Sequence, residues 1–298
     1  MNKKIKSINI LNIIIILLSA VITISGLFSF STNNSYEALN QYGEKIKMWG
    51  SGIYVHDSYF KAPIFIGSDL TILAFVIPSA VIIFFRMRKN PTTETYIRNF
   101  SLTGLLLYYS ASLAFGVTYN KFHLLYIILF GACFYLFAFL FLKLYNMHYS
   151  KKTVCQYHIS RGIKIFLIIS GISLFIAWLP DIITSLINGK SLELIEVYTT
   201  EITYVLDMGI ISPLIFLTLY LLKKKGFIAY VLLRMILKVC IIIGIMVPVQ
   251  TVFQIIAGVY ISIPALLTKV LIFSVLAFFS AYFNYSLKNK AEISPFVN

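Results

Sequence analysis

The chain has 298 residues, of which 59% are hydrophobic and 12% charged, and its formal net charge is +14. A soluble domain keeps about a quarter of its residues charged, so the composition excludes an ordinary soluble globular protein. The apolar residues come in continuous blocks, and a helix of about 20 apolar residues is long enough to cross a bilayer. Transmembrane β-strands alternate apolar and polar residues instead, and continuous blocks exclude them. The sequence therefore predicts an all-α transmembrane protein.

Eight apolar runs are long enough to form membrane-spanning helices in a single polytopic domain over residues 1–298. The first run is longer than the apolar region of a signal peptide, so we expect it to be retained as a span. The predicted spans are about 8–29, 64–85, 99–119, 124–144, 165–187, 202–222, 239–261 and 264–286.

Basic residues lie mainly between spans on one side of the predicted membrane, and most acidic residues lie on the other. Cytoplasmic loops carry an excess of lysine and arginine, so the basic side is predicted to be cytoplasmic. An even number of spans then places both termini in the cytoplasm. We expect a plasma-membrane protein whose basic face attracts anionic lipids of the bilayer. The basic clusters lie at about residues 3–6, 86–98, 143–164, 223–238 and 288–290.

The segment 226–238 has two interpretations. It could begin the seventh span, which would place Arg234 and Lys238 inside the hydrocarbon at about 2.5–3.5 kcal/mol each. It could instead form an amphipathic helix on the cytoplasmic face, with both cations on one side. The second interpretation avoids the cost of burial and is the one that the sequence favours.

Four ionisable residues lie inside predicted spans, each five or six residues from the outer end. They are Asp69, Asp181, Asp207 and Lys269. At about 1.5 Å per residue, each lies roughly 8 Å below the outer surface. Ionisable residues inside spans mark functional sites by default, so we expect an outward-facing polar pocket. The amides of Gln250 and Gln254 are predicted to approach the same layer.

Helix direction indicates how these charges pair. Asp69 and Asp207 lie near the N-termini of their spans, where the helix dipole favours an anion. Lys269 also lies near an N-terminus, where a cation is disfavoured, so we expect it to pair with Asp69 or Asp207. A purely structural ion pair between helices would give the same pattern.

The predicted outer loop 30–63 ends in polar and aromatic residues just before the second span. His56 and Asp57 are candidates for a lid over the pocket. Aromatic residues gather at membrane interfaces, so Trp49 and Tyr54 are interpreted as part of an interfacial belt.

Motifs for hydrolysis, phosphate binding and metal binding are not found. The four histidines form no zinc-binding spacing, no nucleophile elbow is present, and no glycine-rich phosphate loop occurs. The sequence therefore indicates no catalytic residue, no metal, no cofactor and no nucleic-acid partner.

The stretch "GIYVHDSYFKAPIFIGSDLTILAFVIP" resembles a pattern in uncharacterised bacterial multi-pass integral membrane proteins. That pattern is G-x-Y-x-x-D-S, then G-x-D, then an apolar span with proline. The resemblance covers about 27 residues and implies a bacterial integral membrane protein without implying an activity. Its positions are Gly52, Tyr54, Asp57, Ser58, Gly67, Asp69 and Pro78.

Three classes of function follow. The first is a non-enzymatic protein, transporter-like or ligand-sensing, whose acidic outer pocket binds a small cation or amine. The second is an intramembrane enzyme that acts on a lipid or envelope precursor with His56, Asp57 and Asp69 as acid–base groups. The third is a structural or assembly subunit. The sequence favours the first.

Overall fold

The structure, a computed structural model, describes residues 3–149, 154–224, 226–290 and 292–294. Most of these residues lie in helices, so the prediction of an all-α architecture is confirmed. Eight helices follow one another along the described ranges: α1 (Lys3–Leu27), α2 (Ala62–Lys89), α3 (Thr93–Gly116), α4 (His123–Tyr149), α5 (Arg161–Asn188), α6 (Ile202–Lys223), α7 (Phe227–Ile256) and α8 (residues 263–290).

Six of these helices are long and apolar enough to cross a membrane: α1 from Lys6 onward, α2, α4, α5, α6 and α7. Helix α3 has Glu94 and Arg98 in its first two turns, and α8 contains a shorter apolar stretch, Ile272–Leu287. Length and composition therefore support a helical membrane protein.

Helices α2, α6 and α8 each contain a π-helical segment, at Ile72–Val76, Asp207–Ile211 and Leu266–Leu271. The first two segments end just before Pro78 and Pro213. Proline has no backbone N–H, and its ring clashes with the carbonyl four residues earlier. A wider π turn before each proline relieves that clash without ending the helix.

Helix α7 is at the centre of the bundle and contacts α2, α3, α6 and α8. It is continuous from Phe227, so the favoured interpretation of 226–238 as a separate interfacial helix is wrong. The predicted seventh span, 239–261, therefore begins 12 residues earlier. Arg234 is only 2% exposed and lies between helices, where an ion pair with Glu94 offsets the cost of burial. The other acceptors of the Arg234 guanidinium are Tyr230 Oη and Asn284 Oδ1.

The two ends of the bundle differ. One end carries residues 28–61, 117–122, 189–201 and 257–262, and we call these residues the cap. The hairpin of β1 (Tyr36–Leu39) and β2 (Lys45–Met48) belongs to the cap. The opposite, basic end carries the antiparallel pair β3 (Val154–Gln156) and β4 (Glu292–Ser294).

Aromatic residues of the cap face inward. Trp49 and Tyr54 are fully buried, and the Trp49 Nε1–H donates to the Ser29 carbonyl at 2.8 Å. Their interpretation as an interfacial belt is therefore wrong: both rings form part of the core that joins the cap to α1. Phe30 and Tyr59 pack against the indole of Trp49.

Close packing of α2 on α7 depends on Gly67. A Cβ at this position would lie 2.6 Å from the Gln250 Cα, a backbone atom that cannot move aside. We expect Gly67→Ala to destabilise the protein by about 1–3 kcal/mol through overpacking. Gly131→Ala is the matched control, because an added Cβ there meets nothing within 4 Å. Thermal unfolding in detergent measures both variants, and equal midpoints would contradict this packing.

Candidate functional site: a pocket beneath the cap

Asp57 holds three segments of the cap together. Its Oδ1 accepts hydrogen bonds from the Thr118 backbone N–H and the Tyr198 hydroxyl, both at 3.0 Å. The same Tyr198 hydroxyl lies 3.2 Å from the Ser58 backbone N–H, which donates to it. The carboxyl is fully buried, and its Oδ2 has no hydrogen-bond partner among the described residues. Asp57 is thus a structural tie between the first cap segment, the α3–α4 connection and the α5–α6 connection.

The connection between α5 and α6 is held against the hairpin by further polar contacts. Glu196 has a positive φ of 50°, unusual for a residue other than glycine. Its carbonyl accepts from the Asn40 amide at 2.9 Å, and its carboxylate accepts from the Ser58 hydroxyl. The Gln41 amide donates to the Tyr198 carbonyl at 2.9 Å.

Lys61 forms an ion pair with Glu201 where the cap meets the helices. The two side chains are 14% and 11% exposed, so this pair is shielded from water. The Lys61 ammonium also lies 4.1 Å from the centroid of the Tyr198 ring, which adds a cation–π contact.

Burial shifts the pKa values of three ionisable residues in the cap. Desolvation raises the pKa of Asp57 to about 7, although hydrogen bonds from Thr118 and Tyr198 oppose the shift. Desolvation lowers the pKa of Lys61 to about 8, opposed by the charges of Glu196 and Asp57. Burial also raises the pKa of Glu196.

A cavity of about 580 Å³ lies beneath the cap. Ligand pockets span roughly 300–1,000 Å³, so the cavity has the volume of a small-molecule site. Its walls are mostly apolar and come from α2, α3, α5, α6, α7 and α8. The polar side chains in its wall include Lys61, Ser68, Glu201, Asp207, Gln250 and Gln254.

A second, smaller cavity of about 310 Å³ adjoins it on the side of the cap, and we call it the vestibule. The vestibule is lined by the α5–α6 and α7–α8 connections, including Glu193 and Tyr260. Both cavities share part of their walls, so the vestibule lies directly beside the larger cavity at the cap end. The shared residues are Phe60, Leu194, Thr251 and Gln254.

Asp207 is one of two acidic residues in the described cavity wall, the other being Glu201. The Tyr108 hydroxyl donates to its Oδ1 at 3.0 Å, and the Trp178 Nε1–H donates to its Oδ2 at 2.9 Å. The residue is 6% exposed. Two neutral donors thus stabilise the carboxylate without neutralising it, and each oxygen keeps a free lone pair.

Asp69 lies behind the wall of the same cavity. It is fully buried and accepts from the Tyr109 hydroxyl at 2.5 Å and the Tyr54 hydroxyl at 2.6 Å. Gly26 of α1 makes room for it, because a Cβ there would lie 1.7 Å from the Asp69 Oδ2. Tyr109 lines the cavity, so its side chain lies between Asp69 and the cavity.

Two adjacent residues of α3 therefore connect the two carboxylates: Tyr108 donates to Asp207 and Tyr109 to Asp69. Asp181 is connected to these aromatic residues through Tyr204, whose hydroxyl donates to the Asp181 Oδ2 at 2.6 Å. The Tyr204 ring in turn stacks on Trp178, with centroids 4.7 Å apart. Asp181 itself is not among the cavity-lining residues.

The remaining predicted residues fall into three groups. Gln250 and Gln254 line the cavity; the first donates to the Ser68 hydroxyl at 2.7 Å, and the second to the Phe60 carbonyl at 3.0 Å. His56 is exposed in the cap, with its Nδ1 3.2 Å from the Tyr36 hydroxyl. The backbone of Lys269 lies in the π segment of α8, but its side chain is outside the described residues. Its pairing with Asp69 or Asp207 stays a prediction.

Several residues of the site were missed by sequence reasoning: Tyr108, Tyr109, Trp178, Lys61 and Glu201. A tyrosine inside an apolar run looks like ordinary core or interface, and no spacing in the sequence links it to an aspartate 40 or more residues away. The adjacent pair of tyrosines in the third predicted span was the one available signal.

The acid–base trio expected of an intramembrane enzyme has three separate sets of partners. His56 contacts Tyr36, Asp57 contacts Thr118 and Tyr198, and Asp69 contacts two tyrosines. Within the described residues, no group of three His, Cys, Asp or Glu side chains has a geometry that could hold a metal ion.

No protein-family model, no curated protein and no solved structure matches the chain. The site must therefore be interpreted from its own geometry.

The titration of Asp57 predicts how the cap responds to pH. The pKa of Asp57 is about 7 in the closed cap and near 3.8 when solvated, so the closed cap binds the proton more tightly. Its stability is therefore highest below about pH 4 and falls as the pH rises through 7. Glu196 acts in the same direction. Lys61 acts in the opposite direction, because its pKa is about 8 in the closed cap and 10.5 when solvated. Its contribution to stability therefore rises between pH 8 and 10.5, and the closed cap is least stable near pH 7–8.

Acrylamide quenching of Trp49 in a Trp178→Phe background measures this opening. Asp57→Asn has no carboxyl to ionise, so we expect the decline between pH 4 and 7 to become much smaller. A pH profile that is unchanged by Asp57→Asn would contradict the assignment.

Proposed function

We propose that the chain is an eight-span plasma-membrane protein, transporter-like or ligand-sensing, that binds an organic cation or amine in the cavity beneath its cap. In this proposal the cap faces the outside, and the basic end with both termini faces the cytoplasm. The excess of lysine and arginine at the basic end supports that orientation.

The observation that carries the proposal is the cavity of about 580 Å³ with Asp207 in its wall. A carboxylate that only held helices together would need no adjoining space. Asp207 instead borders a cavity that shares part of its wall with the vestibule, and the proposal takes the vestibule as the entrance. An ionisable residue inside a span that faces a cavity is typical of a substrate or ion pathway.

The chemistry of the wall favours a cationic ligand with an apolar body. Among the described lining residues, Lys61 is paired with Glu201, which leaves Asp207 as the unneutralised charge. Aromatic faces attract cations, and the aromatic rings of Tyr108, Trp178 and Tyr204 line the same cavity. The predominantly apolar remainder of the wall suits the body of an amphipathic molecule.

Irregular turns within the helices that line the cavity support a transporter-like role. Binding sites of secondary transporters are commonly built from discontinuous helices near the middle of the membrane. Here the π segment of α6 begins at Asp207 itself, and that of α2 begins three residues after Asp69. Pro180 and Pro248 also interrupt the hydrogen bonding of α5 and α7, which both line the cavity.

Orientation can be tested with single cysteines in a background without native cysteines. We expect Lys45→Cys, in the cap hairpin, to react with a membrane-impermeant maleimide in intact cells. Lys223→Cys, at the basic end, is expected to react only after permeabilisation. The opposite pattern would overturn the orientation.

Ligand chemistry can be tested with two probes of the same shape and opposite charge, tetraphenylphosphonium and tetraphenylborate. The cation is expected to raise the thermal stability of the purified protein more than the anion does. Asp207→Asn should weaken the apparent affinity for the cation by about tenfold or more, equivalent to about 1.4 kcal/mol, because it removes the charge from the wall.

Asp181→Asn is the matched control, since Asp181 lies outside the cavity lining and accepts a single described side-chain hydrogen bond, from Tyr204. Its affinity for tetraphenylphosphonium should stay within about threefold of the wild type. Equal responses to both probes, or equal losses in both variants, would count against the proposal. Uptake of the cation into proteoliposomes then separates transport from sensing.

A further inference from the structure

A second charged cluster lies toward the basic end of the bundle. It is built from two parallel helices, α3 and α7, which both run from the basic end toward the cap. Each helix contributes two charged residues four positions apart: Glu94 and Arg98 on α3, and Arg234 and Lys238 on α7. Residues four apart lie on the same helix face, so the two pairs face each other.

Glu94 is shared by both arginines. Its Oε1 accepts from Arg98 Nε at 2.8 Å and from Arg234 at 3.1 Å. Arg234 uses all three of its nitrogens, because the remaining two donate to Tyr230 and Asn284. Every nitrogen of the Arg234 guanidinium therefore has an acceptor.

The other two cations of the cluster, Lys238 and Arg98, keep hydrogen-bond donors without a described acceptor. Lys238 makes no hydrogen bond or ion pair with any residue that the structure describes, although Glu94, Arg98 and Arg234 all act on it electrostatically. For Arg98, the described hydrogen bonds use Nε alone, which leaves its two terminal nitrogens as donors. When Lys238 is protonated, the four residues carry three positive charges and one negative charge.

A surplus of cations inside a spanning helix is costly unless an anion joins it. Lys238 lies 11 residues beyond the start of α7, about 16 Å along the helix axis, so bulk water does not reach it easily. The cluster is nevertheless accessible from one side, since the Arg98 and Glu94 side chains are 26% and 27% exposed. Arg234 donates hydrogen bonds to residues of both α3 and α8, which places the cluster between these two helices and α7.

We infer that Arg98 and Lys238 form a binding site for a phosphate group, held above the Glu94–Arg234 pair. Guanidinium and ammonium groups are the usual protein partners of phosphate. Basic sites between helices on the cytoplasmic side of membrane proteins hold lipid head groups. The same chemistry would bind free phosphate, so the two sources must be separated by experiment.

The test uses the full-length protein in a neutral detergent and measures its thermal unfolding during three titrations. These are phosphatidylglycerol, phosphatidylcholine as the lipid without net charge, and sodium phosphate against sodium chloride at equal ionic strength. We expect an anionic phosphate to stabilise the wild type. Lys238→Gln should raise the half-saturating concentration roughly five- to tenfold.

A shift with phosphatidylglycerol alone assigns the site to a lipid, a shift with sodium phosphate alone assigns it to free phosphate, and both together assign it to the phosphate group itself. Each supports the site if Lys238→Gln weakens the shift and Lys238→Arg retains it. If Lys238→Gln does not fold, Arg98→Gln replaces it and is likewise expected to weaken the stabilisation by the anion. Lys223→Gln is the control, because it removes one exposed charge from the same end of the protein.

Two results would overturn the inference. One is that no anion stabilises the wild type beyond phosphatidylcholine and chloride. The other is that Lys238→Gln and Arg98→Gln respond as Lys223→Gln does, which would indicate general attraction to the basic face. Neither result bears on tetraphenylphosphonium binding at Asp207, so this inference and the proposed function can fail separately.

Discussion

A carboxylate inside an apolar helical bundle must receive hydrogen bonds from its neighbours, and much of this structure depends on how that need is met. Asp69 and Asp207 are buried, and both accept hydrogen bonds from the O–H or N–H groups of aromatic side chains. Such donors satisfy the oxygens and contribute packing area at the same time. They also bring no positive charge next to the carboxyl group. A pocket wall built in this way can attract a cation, whereas a wall closed by a lysine would not.

The same reasoning distinguishes the two ends of the molecule. At the cap, Asp57 and the Lys61–Glu201 pair bring separate segments together above the cavity, and the shifted pKa values of Asp57 and Lys61 predict a cap whose stability depends on pH near neutrality. At the basic end, positive charge exceeds negative charge within the bundle, around Glu94. We propose that the first arrangement shapes an entrance for a cation and that the second binds an anion.

The sequence was informative where physical constraints act locally. Apolar runs long enough to cross a bilayer predicted the helices, and the rarity of acids inside such runs pointed to Asp69 and Asp207. The sequence did not indicate the hydrogen-bond partners of these acids, because Tyr109 and Asp69 are 40 residues apart and neither residue type specifies the other. The segment 226–238 was misjudged for a similar reason. The cost of burying Arg234 was clear, but the compensating Glu94 lies 140 residues away. Trp49 and Tyr54 were assigned to an interface because the folding of the cap over them depends on long-range contacts.

The claim on which this account rests is that Asp207 remains a charged carboxylate in a cavity that opens toward the cap. Thr251 lines both the cavity and the vestibule, so Thr251→Cys, in a background without native cysteines, places a thiol at the entrance. Its modification rate from the cap side, measured with cationic and anionic methanethiosulfonates of similar size, tests the claim directly. We expect the cationic reagent to react faster, and Asp207→Asn to remove most of that difference. No modification from the cap side, or equal rates for both reagents in the presence of Asp207, would contradict the account.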